Sequence, residues 1–445
     1  MTDVVTDEQS TPDRETPGET GIDIPALVRL IVILALVVAT FFFFGAADLL
    51  LVIVALIAMV LIHELGHFAT AKWSGMKVTE YFVGFGPRLW SVRKGETEYG
   101  VKAIPAGGYV RIIGMSSAEE IHPSDEARAY RNQPFGKRII VASAGSAMHF
   151  LMAFVLAFLA LTLIGRSDSS VIDVQKYLVL DGGAQTPAQT AGIQPGDQIV
   201  SVNGKTVTSD STLTTAVHGS VGKPVQISVD RNGKTVTVTA TPLDGRNVRI
   251  NGVPLAPQNG PAVGYLGVGL SQGTKTEGPL QAVVDSASVV RQASVGAVTG
   301  IAHLFSPSGL QNYAQQVVHP SSGTTSSTSS SSSASTQEAR PQSIIGAVRT
   351  ATQGAQQGML TFLEVFISIN IFIGIINLLP MLPLDGGHVV IAGYEWIRTR
   401  RGKPMYRADV TKMMPVVYAF VGFLLILVTT SMYLDIAHPA ANPFH

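Results

Sequence analysis

The chain has 445 residues, 31 basic and 31 acidic side chains, 46% hydrophobic residues and 14% charged residues. This composition is typical of a membrane protein, and without a basic patch it gives no indication of a nucleic-acid partner. Because the chain has no cysteine, thiol nucleophiles, disulfides and thiolate metal ligands are excluded. Any metal ion must therefore be held by histidine and carboxylate side chains.

The N-terminal residues 1–24 are rich in Asp, Glu, Thr and Pro and have no basic segment before the first apolar run. They are predicted to form a disordered acidic tail and not a secretory signal peptide. Five later segments are long and apolar enough to span a membrane. They are Leu30–Ala47, Leu49–Thr70, Ile139–Ile164, Met359–Leu379 and Met414–Met432. Asp48 alone separates the first two, so residues 25–75 are expected to form a helical hairpin.

Basic residues beside the spans predict the orientation of the chain. Lys and Arg are frequent between the second and third spans and again in residues 398–412, after the fourth span. By the positive-inside rule both segments are cytoplasmic, which places residues 166–358 and the end of segment 413–445 on the exported side. The sequence therefore predicts a multi-pass protein of the cytoplasmic membrane, with residues 116–165 forming a cytoplasmic connector and the third span.

Residues 76–115 contain short runs of β-branched and aromatic residues that predict a small membrane-associated β-sheet. The predicted strands are Val78–Val83, Pro87–Val92, Thr97–Ile104 and Gly108–Ile113. Lys94-Gly95 and Ala106-Gly107 are predicted turns between them.

The exported region 166–280 is predicted to contain an α+β domain. Residues 223–240 alternate apolar and polar side chains about Asn232-Gly233, which indicates a β-hairpin with a type I′ turn. The preceding string, residues 188–204, resembles the core of a PDZ domain, which would cover about residues 170–245. Such a domain implies a peptide or C-terminus as a ligand.

Two further segments follow the exported domain. Residues 281–320 are predicted to form an exported helical segment, and a sixth span is the alternative. Residues 321–345 are rich in Ser and Thr and are predicted to be a flexible linker. The whole chain is thus expected to be an α-helical polytopic membrane protein of about five spans.

Candidate catalytic residues lie at the end of the second span, in the string HELGH (residues 63–67). Residues four apart share one face of a helix, so His63 and His67 can bind one cation while Glu64 stands beside it as a general base. Zinc fits these ligands best, and a catalytic zinc usually takes a third protein ligand. Asp385 is the best candidate, because prolines and glycines around it interrupt the fourth span (within residues 346–397) at the same membrane depth.

These motifs resemble those of the site-2 protease family of intramembrane zinc metalloproteases, in its bacterial PDZ-containing branch. The HELGH string and Leu384-Asp385-Gly386 match its two active-site motifs, and GFGP (84–87) and IPAGGYV (104–110) match two others. The resemblance covers residues 49–435. It implies a zinc endopeptidase with Glu64 as base, which hydrolyses peptide bonds in or near the membrane segments of single-span proteins such as anti-sigma factors or remnant signal peptides.

The resemblance also concerns four other residues. In similar proteins an Asn at the position of Asn377 helps to hold the substrate strand, and Asn370 lies two helical turns before it. Hydrogen bonding between helices is the alternative role for both. His149 stands where the family commonly has Asn in a Gly-Pro-x-x-Asn motif, and it is either a packing residue or a neighbour of the site. His388 is expected to be an outer neighbour of the ligands at most.

Two other functions compete with intramembrane proteolysis. One is a membrane-anchored metalloprotease that acts on soluble chains and takes its third ligand from a later helix. The other is a catalytically silent membrane receptor or scaffold built around a PDZ domain. The Asp385 motif argues against the first, and an intact set of His63, Glu64, His67 and Asp385 argues against the second.

Overall fold

The computed structural model describes residues 24–115, 119–231, 233–250, 252–319, 341–399, 406–440 and 442–444. The predictions for the acidic tail up to residue 23, for linker residues 321–340, for loop residues 400–405 and for Asn232 lie outside the described residues. The chain divides into two compact units, one formed by residues 1–156 with 288–445 and the other by residues 157–287.

Helices dominate the first unit. Its helices are α1 (Ile24–Phe43), α2 (Ala47–Trp73), α3 (Phe135–Leu159), α6 (Pro279–Leu304, which begins in the second unit), α7 (Pro307–Val318), α8 (Ile344–Gln357), α9 (Met359–Asn377), α10 (Asp385–Thr399) and α11 (Met414–Ala437). Short 3-10 turns cover Glu126–Arg128, Tyr130–Asn132 and Val410–Met413, and a π-helical turn continues α3 over Ala160–Ile164.

Five of the described helices are long and apolar enough to cross a membrane. They are Ile24–Phe43, Ala47–Trp73, Phe135–Ile164, Met359–Asn377 and Val410–Ala437. Each contains or largely overlaps a predicted span, which confirms the prediction of five spans. Helix α6 is not among them, so this criterion does not support a sixth span within the described part of the chain.

The connection between the first two spans differs from the prediction. Residues Phe44–Ala46 make the turn, with Gly45 at a positive φ of 66° that glycine adopts without a steric penalty. Asp48 lies inside the first turn of α2, where a carboxylate is favoured by the unpaired amides and the dipole of the helix N-terminus.

Segment 346–397, which was predicted to contain the fourth span and the Asp385 motif, covers three helices, of which α9 is that span. Its first helix, α8, is amphipathic and places Ala351 against Val52 and Met59 of α2 and Phe362 and Phe366 of α9, all of them buried. The buried Ser343 caps α8 and donates to the Asp435 carboxylate on α11. Helices α2, α8, α9 and α11 are therefore tied together by one apolar cluster and one buried polar contact.

The small sheet is formed by two long strands, β1 (Val78–Lys94) and β2 (Thr97–Ile112), instead of the four short ones predicted. They pair as a hairpin, in which Lys94 pairs with Thr97 next to the turn and Val78 pairs with Ile112 at the open end. Residues 106–107 continue β2 instead of making a turn. The hairpin also folds back on itself, because residues 80–83 pair with residues 98–101 as well as with residues 108–111. Gly84 and Gly86, both at a φ of 84°, provide the irregular backbone for this fold.

The second unit is built around a six-stranded sheet. Its strands are β3 (Arg166–Tyr177), β4 (Gln198–Val202), β5 (Lys205–Thr206), β6 (Val225–Arg231), β7 (Lys234–Ala240) and β12 (Val268–Lys275), with the two-residue strands β8 (Leu243–Asp244), β9 (Arg249–Ile250), β10 (Val253–Pro254) and β11 (Gly264–Tyr265) beside them. The order is β12-β3-β4-β6-β7, with β5 paired to β4. Helices α4 (Pro187–Ala191) and α5 (Asp210–His218) complete the unit.

The core of the second unit is apolar and continuous across the sheet. Ile172, Ile199, Ile227 and Leu213 are among its buried residues. Strands β6 and β7 pair antiparallel across residues 232–233, as the alternating pattern predicted. The predicted PDZ segment ends at about residue 245, which is too early for this sheet, because the later strand β12 forms its edge beside β3.

Candidate metal centre

Helix α2 presents two imidazoles to one point. His63 and His67 lie one turn apart, are 9% and 4% exposed, and have their Nε2 atoms 3.2 Å from one another. The Nδ1 atom of His67 lies 2.7 Å from the backbone oxygen of Val141 on α3. A carbonyl only accepts hydrogen bonds, so this Nδ1 carries the hydrogen and Nε2 is left with a lone pair for a metal ion.

The third side chain comes from the start of α10. Asp385 is its first residue, and its Oδ2 lies 3.5 Å from His63 Nε2 and 3.2 Å from His67 Nε2. Gly386 and Gly387 follow, and a Cβ on Gly386 would be 2.3 Å from the Leu378 oxygen. The chain between α9 and α10 is therefore folded so tightly that glycine is required next to Asp385.

These three atoms fit a zinc ion. A tetrahedral zinc with bonds of about 2.0–2.1 Å holds its ligand atoms about 3.3–3.4 Å apart, and the observed separations are 3.2, 3.2 and 3.5 Å. Two neutral imidazoles and one carboxylate are also a donor set that zinc accepts in catalytic sites, where a fourth position stays open. His63, His67 and Asp385 are the group of potential metal ligands found within the described residues.

Helix α3 closes one side of the centre with a glycine. A Cβ on Gly145 would lie 2.3 Å from His63 Cε1 and 2.4 Å from His67 Nε2, well inside contact distance. Gly66 provides the matching close approach on α2, where a Cβ would be 2.8 Å from the Ala144 oxygen. The two helices cross at these glycines, so the backbone of α3 forms a wall directly against the imidazoles.

Glu64 lies on the side of α2 that faces the sheet. Its Cγ would be 3.4 Å from a Cβ on Gly108, and the backbone amide of Val110 faces its carboxylate as a hydrogen-bond donor. Segment 108–112 of β2 pairs with residues 78–83 on one side, and no second strand pairs with its other side within the described residues. The candidate base therefore stands beside an open strand edge.

His149 and Asn370 form a buried pair next to the centre. His149 Nδ1 lies 2.7 Å from the Asn370 side-chain oxygen, and the His149 ring centroid is 5.0 Å from that of His63. Both residues are at most 1% exposed. The structure thus places His149 beside the site. A lone histidine in an apolar helix gave little indication of this from the sequence. The spacing of four residues between Gly145 and His149 does, however, put both on one face of α3.

The two asparagines predicted on one face have different surroundings. Asn370 is fully buried against His149, whereas Asn377 is the last residue of α9 and is half-buried. The His388 ring lies 6.3 Å from that of Tyr130, and His388 follows Asp385 by three residues on α10.

One ion pair near the centre had no signal in the sequence. Arg138 on α3 donates to Glu395 on α10 at 2.5 Å, and the Glu395 carboxylate also accepts from the Ala408 amide. The partners are 257 residues apart in the chain, so neither spacing nor a motif could have joined them.

Comparisons with known proteins find similarity to one peptidase family and to named zinc metalloproteases. The model of peptidase family M50 matches residues 51–424. The zinc metalloprotease Rip1 of Mycobacterium tuberculosis is 32% identical over 411 residues, covering 87% of this chain and 96% of the relative. The Rip1 protein of Mycolicibacterium smegmatis is 31% identical over 408 residues (85% and 95%). A putative zinc metalloprotease of Nostoc sp. is 30% identical over 356 residues (79% and 86%).

Proposed function

The chain belongs to peptidase family M50, the site-2 protease family, and on that basis we propose that it cleaves single-span membrane proteins within or beside their membrane segments. It is a multi-pass zinc metalloprotease. The observation that carries the proposal is that three potential zinc ligands and a glutamate converge between helices long enough to cross a membrane.

We assign zinc binding to His63, His67 and Asp385. Zinc bound there supplies Lewis acidity and lowers the pKa of a bound water toward about 7. Val141 keeps the hydrogen of His67 on Nδ1, and the Gly145 backbone leaves the imidazoles no room to rotate toward α3. The protein thus holds the ligands in place before the reaction begins.

Glu64 is assigned as the general base. It is adjacent to His63 on α2 and lies against Gly108, so its carboxylate is on the side from which a peptide on β2 approaches. It takes the proton from the attacking water and passes it to the leaving amine. Because water is the nucleophile, no acyl-enzyme forms. We assign substrate positioning to Asn377, at the end of α9, and to the buried Asn370, whose partner is His149.

The substrate segment is proposed to add to the open edge of β2. A membrane helix hides its peptide bonds in backbone hydrogen bonds, so it must unwind before hydrolysis, and free amides and carbonyls are costly in a membrane. Segment 108–112 offers, beside Glu64, a strand edge that no other strand covers within the described residues, and strand addition supplies the lost hydrogen bonds.

The charge distribution along the chain supports a proposal for its location. The Lys-rich and Arg-rich segments adjoin the ends of α2, α3 and α10, which favours a cytoplasmic active-site end and a location in the cytoplasmic membrane. The sheet unit of residues 166–275 is proposed to be an exported PDZ-like domain that binds a peptide or a C-terminus, or excludes bulky substrates. Anti-sigma factors and remnant signal peptides are the single-span substrates that we propose.

A proteomic comparison tests the proposal. Membranes that contain the wild type are compared with membranes that contain Glu64→Gln, and single-span proteins or fragments should accumulate only with the variant. An unchanged membrane proteome together with normal zinc content in the wild type would favour the scaffold function. Accumulation of soluble proteins would favour the metalloprotease of soluble chains.

A further inference from the structure

A large cavity opens beside the metal centre in the first unit. Its volume is about 1110 Å³. One wall is the open segment of β2, from Tyr109 to Ile112. Another wall is formed by the turn that precedes Asp385 and by His388, which lies one helical turn after Asp385. A peptide that lies along β2 at Glu64 would therefore continue into this cavity.

The side chains around the cavity are mainly cationic. Four arginines and two glutamates line it: Arg111, Arg131, Arg138, Arg407, Glu119 and Glu395. Both glutamates already have partners, because Glu119 accepts from Arg111 and the Gly114 amide, and Glu395 accepts from Arg138 and the Ala408 amide. Two further glutamates outside the lining, Glu80 and Glu126, pair with Arg111 and Arg131, whereas Arg407 donates to the neutral side chain of Asn132.

Two of the arginines have unused hydrogen-bond donors. Arg138 is 9% exposed, its guanidinium lies 5.1 Å from the Tyr130 ring centroid, and its Nε has no hydrogen-bond partner although it is buried. Arg131 Nε is likewise buried and without a hydrogen-bond partner, while its Nη2 donates to Glu126. Buried N–H groups of charged side chains rarely lack an acceptor, so these two guanidinium groups keep donor capacity beside the cavity.

We infer that this cavity binds an acidic side chain of the substrate, on one flank of the scissile bond. The inference rests on the proposed function, because it takes the substrate to lie along β2. A carboxylate is the acceptor that best matches paired guanidinium groups. A phospholipid phosphate has the same chemistry. We favour a peptide, because one wall of the cavity is a strand edge that begins at the candidate base.

The strand geometry sets the position of the acidic residue. A strand advances about 3.3 Å per residue, and the cavity lies beside β2 from Tyr109 to Ile112 and beside Gly114 after it, whereas Glu64 faces Gly108 and Val110. An acidic side chain about three to five residues from the scissile bond would reach the two arginines. Because an extended peptide points along one direction of β2, the preference should be found on one flank alone.

The experiment measures kcat/KM in detergent or vesicles with full-length protein and a cleavable single-span substrate. Asp is placed singly at positions two to six on each flank and compared with Asn and Lys at the same position. Asp at one or two positions of one flank should raise kcat/KM at least about tenfold over Lys, as expected for hydrogen bonds between charged groups. Equal rates for Asp, Asn and Lys at every position would overturn the inference.

Variants of the enzyme separate binding from folding. Arg131→Glu should reverse the preference and favour Lys at the same substrate position, which a merely structural role would not produce. Because loss of Arg138 alone would leave Glu395 unpaired in a buried site, the double variant Arg138→Gln with Glu395→Gln is used, and it should abolish the preference. Arg291→Gln, an exposed site on α6, is the matched control and should retain it.

The outcomes distinguish this inference from the proposed function. If no single-span substrate is cleaved by the wild type, and Glu64→Gln is indistinguishable from it, the proposed function fails. If cleavage is normal but indifferent to the flanking charge, the acidic site alone fails. A rate that follows the fraction of anionic phospholipid in the vesicles, with no effect of substrate charge, would assign the cavity to lipid and also overturn the inference.

Discussion

A Cβ added to Gly145 would lie 2.3 Å from the Cε1 atom of His63, closer than any real contact of this kind. Gly145→Ala must therefore push α3 or the imidazole away, and we expect loss of zinc and of proteolysis with a cost in stability of about 1–3 kcal/mol. Zinc content per protein and thermal unfolding check this. Gly136→Ala, in the same helix with nothing within 4 Å of the new Cβ, should keep zinc and activity.

Glu64→Gln should bind zinc normally and lose cleavage by a factor of roughly 10²–10⁴, the usual contribution of a general base. The amide has the same shape but cannot take a proton, and Glu64 is not among the three convergent ligands. Metal analysis and cleavage of a model substrate are the measurements. A variant without zinc, or one with wild-type turnover, would contradict the assigned role.

Asp385→Ala should lose zinc on dialysis against a chelator under conditions in which the wild type retains it. Two imidazoles alone leave zinc with too few protein ligands, and the Asp385 oxygen is 3.2 Å from His67 Nε2. Asp409→Asn, at an exposed acid paired with Lys412, serves as the control and should keep its zinc. Full zinc occupancy in the Asp385 variant would place the third ligand elsewhere.

Glu96 should make the first unit sensitive to acid. Arg128 and, after it, Lys72 donate to its carboxylate and lower its pKa to about 2 from the ordinary 4.5. Because the folded pKa is depressed, this contribution to stability is present above about pH 4.5 and is lost as the pH falls toward 2. Glu96→Gln should narrow the difference between unfolding temperatures at pH 6 and pH 3. Glu120→Gln, an exposed site, should leave that difference unchanged.

The sheet unit can be removed cleanly to test the size filter. Arg166 and Lys275 are cross-strand partners at the two ends of the unit, about 5 Å apart in such a pair, so a short glycine linker can replace residues 167–274. If the unit is a filter, the deletion should permit cleavage of an untrimmed single-span protein and leave cleavage of the trimmed form intact.

Capture of a new C-terminus predicts the opposite, namely slower cleavage of the trimmed form after deletion. We favour the filter, because a substrate confined to the membrane already has a high effective concentration and gains less from a second weak contact. Replacing the unit with an unrelated folded domain of similar size separates the two. This replacement should restore exclusion of untrimmed protein but would not restore capture.

The sequence by itself determined the features that depend on local patterns. Spans could be predicted because about 20 apolar residues suffice to identify a membrane helix. His63, Glu64 and His67 share one helical turn, so their relation is fixed by the 3.6-residue period. Asp385 could be added because prolines and glycines mark a break at a matching membrane depth.

Only the tertiary structure decided the contacts between residues distant in the chain. The pairs His149 with Asn370 and Arg138 with Glu395 are separated by 221 and 257 residues, and they depend on how helices cross, which side-chain packing sets and no local pattern records. The fold-back of β1 and β2 was missed for the same reason, because a strand pattern specifies alternation but not its partner. The cavity with its unpaired arginine donors exists only where these elements meet.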